Sequence, residues 1–292
     1  MKFAWYPGCV AQGGCPELYT STVAIAEKLG LELVPLEEAA CTGAGVLSER
    51  NPELSDTLNA RTFAMAEALD LPIMTICSTC QGVMSAANDK LTSDPDYLAR
   101  INVTLAEEGL EYKGTARITH ILWVMVEDVG LEKVKSLVVR PLTGVKIAPF
   151  YGCYILRPTQ VLGFSENPER DTYIEQITTA LGGIAIDYSG KTKCCGFPIL
   201  TMNEKASLNM AGDHLIEAKE EGADVMVTPC PLCHLNLDGG QPRAAKLKKV
   251  QIGLPIIHLP QMIGLAFGID TKVLGLNRHI ISTKGLIAKV PA

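Results

Sequence analysis

Lys193-Cys194-Cys195-Gly196 places two thiols side by side, and further cysteines lie on both sides of this stretch. Upstream, Cys153 follows the apolar run 145–151. Downstream, the motif Cys230-Pro-Leu-Cys233 follows the apolar run 223–228. Ligand sites in parallel sheets collect at the carboxyl ends of the strands. We therefore expect these five thiols to converge on one edge of a sheet.

The first half of the chain repeats this arrangement. Its cysteines are Cys9, Cys41, Cys77 and Cys80, each placed at or soon after the end of an apolar run. Three of them lie 153 positions before a second-half cysteine, and the first lies 144 positions before Cys153. The chain is therefore interpreted as an internal duplication. One position differs, because Thr42 stands where the second half has Cys195.

Strand-like and helix-like segments alternate along both halves. The strand-like runs are 2–6, 31–36, 71–76, 117–121, 145–151, 184–188, 223–228 and 256–259. Helical periodicity falls at 17–29, 51–69, 81–91, 96–108, 123–129, 171–181 and 205–221. This alternation predicts an α/β fold of two tandem, pseudo-symmetric domains, each a mostly parallel sheet flanked by helices. We place the domains at residues 1–140 and 141–292, with a connector at 131–144.

Composition narrows the class of protein. A net charge of -6 and a pI near 5.5 argue against a nucleic-acid backbone as partner, so the basic run 243–249 is interpreted as a solvated helix face. We expect a cytoplasmic protein, because no secretory signal begins the chain and CC and CxxC spacings are typical of metal or redox chemistry there. The sequence has no uninterrupted run of about 18 apolar residues, so no transmembrane segment is predicted. The apolar stretch 262–267 is expected to pack in the core, with docking on a membrane or partner as the alternative.

The cysteine count separates the candidate metals. Five thiols exceed the four that one zinc ion or one ordinary cubane cluster takes. An iron–sulfur cluster with an extra ligand is therefore favoured for the second half. The four first-half thiols suffice for a conventional [4Fe–4S] cluster or for zinc, and composition does not separate these two. A zinc-stapled interaction module without redox activity is a further class that the spacing allows.

Other candidates carry weaker signals. Cys15 lies outside the repeat and is expected to be a plain, partly buried thiol. His120 and His258 occupy comparable strands and are expected to be core histidines, whereas His234, next to Cys233, is a candidate proton donor near a cluster. Glycine pairs occur in turns, without the GxGxxG setting of a dinucleotide fold, so no NAD or FAD site is predicted.

Taken together, these motifs resemble a known family. The resemblance rests on four segments: Tyr6-Pro-Gly-Cys9, Phe150-Tyr-Gly-Cys153, Cys194-Cys-Gly196 and Cys230-Pro-Leu-Cys-His-Leu-Asn-Leu237. Each half has the same order of motifs, namely a single cysteine, then CCG, with Thr42 as its second residue in the first half, then CxxC. This repeated pattern resembles the tandem cysteine-rich CCG domains in the B-type subunits of heterodisulfide reductases. The segment Cys41-Thr-Gly-Ala-Gly45 more closely resembles the B-type subunits of heterodisulfide reductase-like complexes of sulfur oxidation.

The resemblance implies both cofactors and partners. It implies a noncubane [4Fe–4S] cluster on Cys153, Cys194, Cys195, Cys230 and Cys233, where a disulfide or carrier-bound sulfur is processed. It also implies an oxidoreductase subunit that is active only within a complex. The implied partners are a ferredoxin-like iron–sulfur subunit, an FAD-containing subunit and a sulfur-carrier protein. A relative with the same domains serves a succinate:quinone oxidoreductase, so electron relay to quinone, with peripheral membrane contact through partners, is the alternative.

Overall fold

The computed structural model describes residues 1–290, and within them two four-stranded sheets are present, each entirely parallel. The first sheet has the order β2-β1-β3-β4, and its strands are β1 Lys2–Tyr6, β2 Glu32–Pro35, β3 Ile73–Thr75 and β4 Ile118–His120. The second has the order β6-β5-β7-β8, with β5 Lys146–Pro149, β6 Ile184–Ala185, β7 Val225–Thr228 and β8 Ile256–His258. The matching strand orders confirm the predicted pseudo-symmetric α/β architecture.

Helices flank both sheets. In the first half they are α1 Cys9–Gly13, α2 Pro16–Leu29, α3 Val46–Arg50, α4 Pro52–Ala68, α5 Ser78–Ser93, α6 Pro95–Leu105, α7 Ile121–Trp123 and α8 Leu131–Ser136. In the second half they are α9 Tyr173–Ala180, α10 Glu204–Glu220, α11 Pro231–His234, α12 Gln241–Lys248, α13 Leu259–Ala266 and α14 Lys284–Lys289. The predicted connector at 131–144 thus contains a helix, α8. The helix predicted at 123–129 is instead the short α7 followed by a wider π-type turn.

Equivalent caps begin the equivalent helices α4 and α10. The Asn51 side chain accepts a hydrogen bond from the Leu54 N–H at 3.2 Å, and Asn203 accepts one from Ala206 N–H at 3.0 Å. Asparagine at this position satisfies a backbone donor that the helix leaves unpaired. The duplication is therefore visible in local helix chemistry as well as in the cysteine spacing.

The hydrophobic core is shared between the halves. Alternate residues of β1 point to opposite faces of its sheet, so Phe3 and Trp5 join one buried cluster while Ala4 and Tyr6 join another. Both clusters contain residues from both halves of the chain. Helix α2 also packs on α13, which is buried along its whole length, as the core prediction for 262–267 expected. The boundary at 140/141 stays a prediction.

Two smaller observations complete the fold. The basic run lies on α12, where Arg243, Lys246 and Lys249 are exposed, as predicted for a solvated helix face. Across the residues that the structure describes, none of the helices combines the length and the apolar character needed to span a bilayer.

Candidate iron–sulfur centre

The cysteine loops follow neighbouring strands. Cys9 comes after β1, Cys41 after β2, and Cys77 and Cys80 after β3; in the second half the loops of β5, β6 and β7 carry Cys153, Cys194, Cys195, Cys230 and Cys233. Because these strands are adjacent and parallel, their loops meet at one edge of each sheet. All ten cysteines are unpaired thiols.

The second-half thiols lie close enough to shift one another's pKa values. The coupled pairs form a series, from Cys153 and Cys194 through Cys195 to Cys233 and Cys230. Three of these thiols are buried, namely Cys195, Cys230 and Cys233, whereas Cys153 and Cys194 are half-buried. The series is therefore closed at one end and reachable from outside at the other.

Neighbouring thiols divide the negative charge unevenly. Hydrogen bonds from Cys153 and Cys195 lower the pKa of the Cys194 thiol to about 2, and the same contacts raise the pKa of both donors. Hydrogen bonds from Cys233 and Cys77 likewise lower the pKa of Cys230, while the pKa of Cys233 is raised. Full ionisation of all five would crowd like charges in a buried space. The donor set thus favours a positively charged metal centre as occupant.

Helix N-termini present the CxxC motifs. Cys77 lies at the N-cap of α5 and Cys80 in its first turn, and Cys230 and Cys233 occupy the equivalent positions on α11. Unpaired N–H groups and the positive end of the helix dipole stabilise thiolates at these positions. Both CxxC motifs therefore lie at the N-terminus of a helix.

Glycines make room for the sulfur atoms. Gly152 has φ +73°, and a Cβ built on it would lie 2.9 Å from Cys233 Sγ. Gly8, its first-half equivalent, has φ +78° and would place a Cβ 3.2 Å from Cys80 Sγ. Glycine is favoured at both positions, because the left-handed backbone and the close sulfur each disfavour a side chain.

The first-half site is more open and differs in one group. Cys9 and Cys41 are exposed, with their Sγ atoms 3.8 Å apart, whereas Cys77 and Cys80 are buried. Burial and the nearby Cys41 raise the pKa of Cys9 to about 11. Thr42 is buried and places its hydroxyl 3.9 Å from Cys80 Sγ, where the second half has a fifth thiol.

Polar side chains that sequence analysis did not identify hold the central loops. Asn236 donates from Nδ2 to the Cys195 carbonyl at 2.7 Å, and His214 contacts the Cys194 carbonyl at 3.0 Å. In the first half, Ser55 and Asn59 both donate to the Thr42 carbonyl at 3.0 Å. Asn236 lies within the motif that carries the family resemblance, which was a usable signal. His214 had no sequence signal.

The two sites meet at the centre of the molecule. Ser78 Oγ donates to the Pro229 carbonyl at 3.2 Å, and Thr79 Oγ1 lies 3.5 Å from Cys230 Sγ. The neighbouring thiols Cys230 and Cys80 both raise the pKa of Cys77. A side chain of the first CxxC motif, Thr79, therefore contacts a thiol of the second one directly, which the spacing alone did not predict.

His120, His234, His258 and Cys15 lie outside the two cysteine sets. His120 and His258 are fully buried, as expected for core histidines, and burial lowers the pKa of His120 to about 4. His234 is buried and its Nε2 lies 2.8 Å from His279 Nδ1. Burial also lowers the pKa of His234, which disfavours the protonated form needed by a cationic proton donor. Cys15 is fully buried rather than partly buried.

Comparisons with known proteins agree with this architecture. A family model described as a cysteine-rich domain, CCG, matches residues 3–85 and 147–238, together more than half of the chain. The 8-methylmenaquinol:fumarate reductase membrane anchor subunit of Wolinella succinogenes is 38% identical over 98% of this chain and 99% of its own length. The B-type subunit of the ferredoxin/F(420)H(2)-dependent CoB-CoM heterodisulfide reductase of Methanosarcina acetivorans is 31% identical over 99% and 97%, respectively.

A solved structure supports the fold. The crystal structure of a hypothetical protein from Helicobacter pylori aligns with 96% of this chain at a TM-score of 0.76 and 17% identity, and this chain spans about half of that one, 52%. At this identity the likeness concerns the fold alone. The family model and the full-length relatives carry the assignment: this chain belongs to the family of heterodisulfide reductase B-type subunits, iron–sulfur oxidoreductase subunits with two cysteine-rich CCG domains.

Proposed function

We propose that the chain carries out thiol and disulfide chemistry, or redox chemistry on carrier-bound sulfur, at a noncubane [4Fe–4S] cluster in its second half. The proposed ligands are Cys153, Cys194, Cys195, Cys230 and Cys233. The observation that supports it is the placement of all five thiols in the loops after the adjacent parallel strands β6, β5 and β7, with Cys230 and Cys233 buried and Cys153 and Cys194 half-buried. When bound, the cluster would supply electrons and an iron atom that can bind an external sulfur.

The donor set fits such a group. Five thiols exceed what one zinc or one cubane cluster uses, so one ligand can be exchanged while the others hold the centre. The buried thiols would anchor it, and the half-buried pair would face the incoming sulfur. Asn236 and His214 would hold the Cys194-Cys195 loop in place through its carbonyls. The absence of a side chain at Gly152 leaves room for the Cys233 sulfur, and at Gly196 it lets the cysteine loop pack against the Ser207 backbone of α10.

The redox balance requires partners. Cleaving a disulfide consumes two electrons and two protons and yields two thiols, and the oxidation of thiols reverses this. We propose that the electrons pass between this chain and an FAD-containing subunit through a ferredoxin-like iron–sulfur subunit, so activity requires the complex. A sulfur-carrier protein is the proposed substrate donor, as in sulfur-oxidation complexes. Unpaired thiols are typical of a reducing compartment, so we propose a cytoplasmic location. Contact with a membrane would be made through the partner subunits.

For the first half we propose a relay centre on Cys9, Cys41, Cys77 and Cys80. The contacts of Ser78 with Pro229 and of Thr79 with Cys230 bring the two CxxC motifs together, which supports electron passage from one half to the other. The occupant is a conventional [4Fe–4S] cluster or zinc. Two thiolates on one tetrahedral ion with bonds of about 2.3 Å are about 3.8 Å apart, and Cys9 and Cys41 have this separation. Metal analysis distinguishes the two, because a zinc ion here would exclude the relay.

A cavity lined by Tyr154, the residue after Cys153, is the proposed route for the substrate. It has a volume of about 330 Å³ and lies between α5 and the loop after Cys153, with Gly82, Tyr154 and Arg157 in its lining. Lys90 and Asp56 line its other side and form an ion pair at 2.6 Å. Tyr154 follows a proposed ligand directly in sequence. We therefore propose that sulfur substrates approach from this side.

A second candidate function is electron relay to quinone, without sulfur chemistry. The observation that favours it is the 38% identity to a relative named as the membrane anchor subunit of a methylmenaquinol:fumarate reductase. The chain would then be the membrane-associated iron–sulfur subunit of a succinate:quinone type of complex. Assays of the purified complex with quinol and with disulfide acceptors separate the two functions.

The direct test uses anaerobically purified protein and two variants. Iron, acid-labile sulfide and electron paramagnetic resonance spectra are measured for the wild type, for Cys195→Ala and for the control Gly144→Ala. We expect Cys195→Ala to lose iron or change the spectrum, because one of five ligands is removed. Gly144→Ala should retain the wild-type iron and sulfide, because a Cβ there meets nothing within 4 Å.

Unchanged iron and spectra in Cys195→Ala would refute the five-ligand site. Colourless wild-type protein with about two zinc ions per chain and no sulfide would instead identify the zinc-stapled module. Spectra of the wild type with an added thiol test whether an external sulfur binds at the second-half centre. A spectral change confined to that centre supports substrate binding there, and no change contradicts it.

A further inference from the structure

A second group of metal-ligating side chains lies behind the cysteine loops, outside both thiol sets. Cys15, Glu17, His234 and His258 each place one ligand atom within 4.8 Å of the others. All four are buried, with at most 5% of each residue exposed. Cys15 and Glu17 begin helix α2 in the first half, whereas His234 ends α11 and His258 ends β8 in the second. The group therefore joins both halves of the chain.

Little unscreened positive charge lies near this group to balance its carboxylate and its thiol. Glu17 Oε1 lies 3.3 Å from His258 Nε2, and its other oxygen accepts from Arg278 at 3.2 Å. The Arg278 side chain is more than half exposed, so solvent screens its charge. The Cys15 thiol faces the same carboxylate in a fully buried position. A thiol and a carboxylate placed together away from water favour a bound cation between them.

Unmatched ring nitrogens point the same way. The His234 and His258 rings pack with centroids 4.1 Å apart, and His234 Nδ1 is buried without a hydrogen-bond partner. His279 Nε2 is also buried and unmatched, while its Nδ1 meets His234 Nε2. A buried polar atom without a partner destabilises the fold, and a bound ion is a common reason for one to persist. A purely hydrogen-bonded core does not account for these nitrogens.

We infer that Cys15, Glu17, His234 and His258 bind one divalent transition-metal ion, foremost zinc, as a clamp between the two halves. One thiolate, one carboxylate and two imidazoles give the four ligands that a closed, tetrahedral structural zinc site requires. Thiolate and carboxylate together balance the charge of the divalent ion. The contact of His279 with His234 would orient the ligand ring from outside the site.

The clamp would bear directly on the neighbouring iron–sulfur site. His234 immediately follows Cys233, and β8 lies beside β7, whose loop carries Cys230. A metal ion that fixes His234 and His258 to α2 therefore holds the second CxxC motif against the first half. The inference is independent of the reaction proposed above, because it concerns residues outside both cysteine sets.

The test uses purified full-length protein with its clusters in place and zinc as the probe. Zinc content is measured, and X-ray absorption at the zinc edge counts the sulfur and the nitrogen or oxygen neighbours of the ion. We expect about one zinc whose first shell combines one sulfur near 2.3 Å with nitrogen or oxygen near 2.0–2.1 Å. Zinc in the first-half cysteine site would show four sulfurs, so the two locations are distinguishable. Zinc with sulfur neighbours alone, or no zinc, overturns the inference.

Variants locate the ligands. Glu17→Gln and His258→Gln should lower zinc occupancy by at least about tenfold. The control is His120→Gln, because His120 is the buried histidine at the equivalent strand end of the first half. This variant should retain the zinc ion. Zinc retained in both Glu17→Gln and His258→Gln refutes the assignment. If a variant fails to fold, the wild-type absorption spectrum still decides.

Discussion

Gly152→Ala tests whether the backbone around the second-half site is shaped for sulfur. The added Cβ would lie 2.9 Å from Cys233 Sγ, whereas ordinary contact begins near 3.4 Å. Relief requires the sulfur to move by about 0.5 Å, since atoms this close repel steeply. A metal–sulfur bond tolerates about 0.2 Å. We therefore expect this variant to lose most iron from the second-half site.

Backbone strain must be separated from this steric effect, and the chain offers a graded set of controls. Gly144 has φ +79°, close to the +73° of Gly152, but a Cβ there meets nothing within 4 Å. Gly144→Ala should lower the free energy of unfolding by about 1–2 kcal/mol through its left-handed backbone and leave the iron content unchanged. Gly8→Ala, with a Cβ 3.2 Å from Cys80 Sγ, should fall between the two and affect the first-half site.

The assay combines urea unfolding of the three variants with iron and sulfide analysis under anaerobic conditions. The steric contribution is the difference between Gly152→Ala and Gly144→Ala in unfolding free energy and in iron content. If Gly152→Ala holds as much iron and sulfide as Gly144→Ala, with the same spectrum, then Cys233 is free to move. The claim that this glycine positions a ligand is then wrong.

Two further predictions follow from burial. Burial lowers the pKa of His120 to about 4, so between pH 6.5 and about 4 the unfolded chain binds a proton that the folded chain does not, and stability falls as the pH falls. We expect this group to remove about 2 kcal/mol between pH 8 and pH 5, and His120→Gln to show a shallower decline in urea unfolding; equal slopes would contradict this. Because both hydrophobic clusters mix residues of both halves, fragments 1–140 and 141–292 should aggregate when expressed separately and associate when coexpressed. A folded, monomeric fragment 1–140 in analytical ultracentrifugation would show that its core is independent.

Sequence reasoning worked best where a local pattern had one structural solution. Short apolar runs separated by helical periodicity predicted all eight strands, because βα alternation leaves parallel pairing as the topology that buries both sheet faces. It failed at 131–144, where Pro141 and Gly144 suggested a connector although the preceding residues form α8. Tertiary packing stabilises such a short helix, since an isolated segment of this length is marginal in water.

The sequence by itself determined the duplication, the parallel α/β class and the grouping of cysteines at the ends of the strands, because spacing and periodicity are local properties of a chain. Only the tertiary structure decided that Thr79 contacts Cys230 and that Cys15 and Glu17 meet His234 and His258. Glu17 and His258 are 241 positions apart, and no local pattern couples residues at that distance. Their contact arises from the packing of α2 on α13, where burial of apolar surface brings polar groups of both halves into one enclosed space.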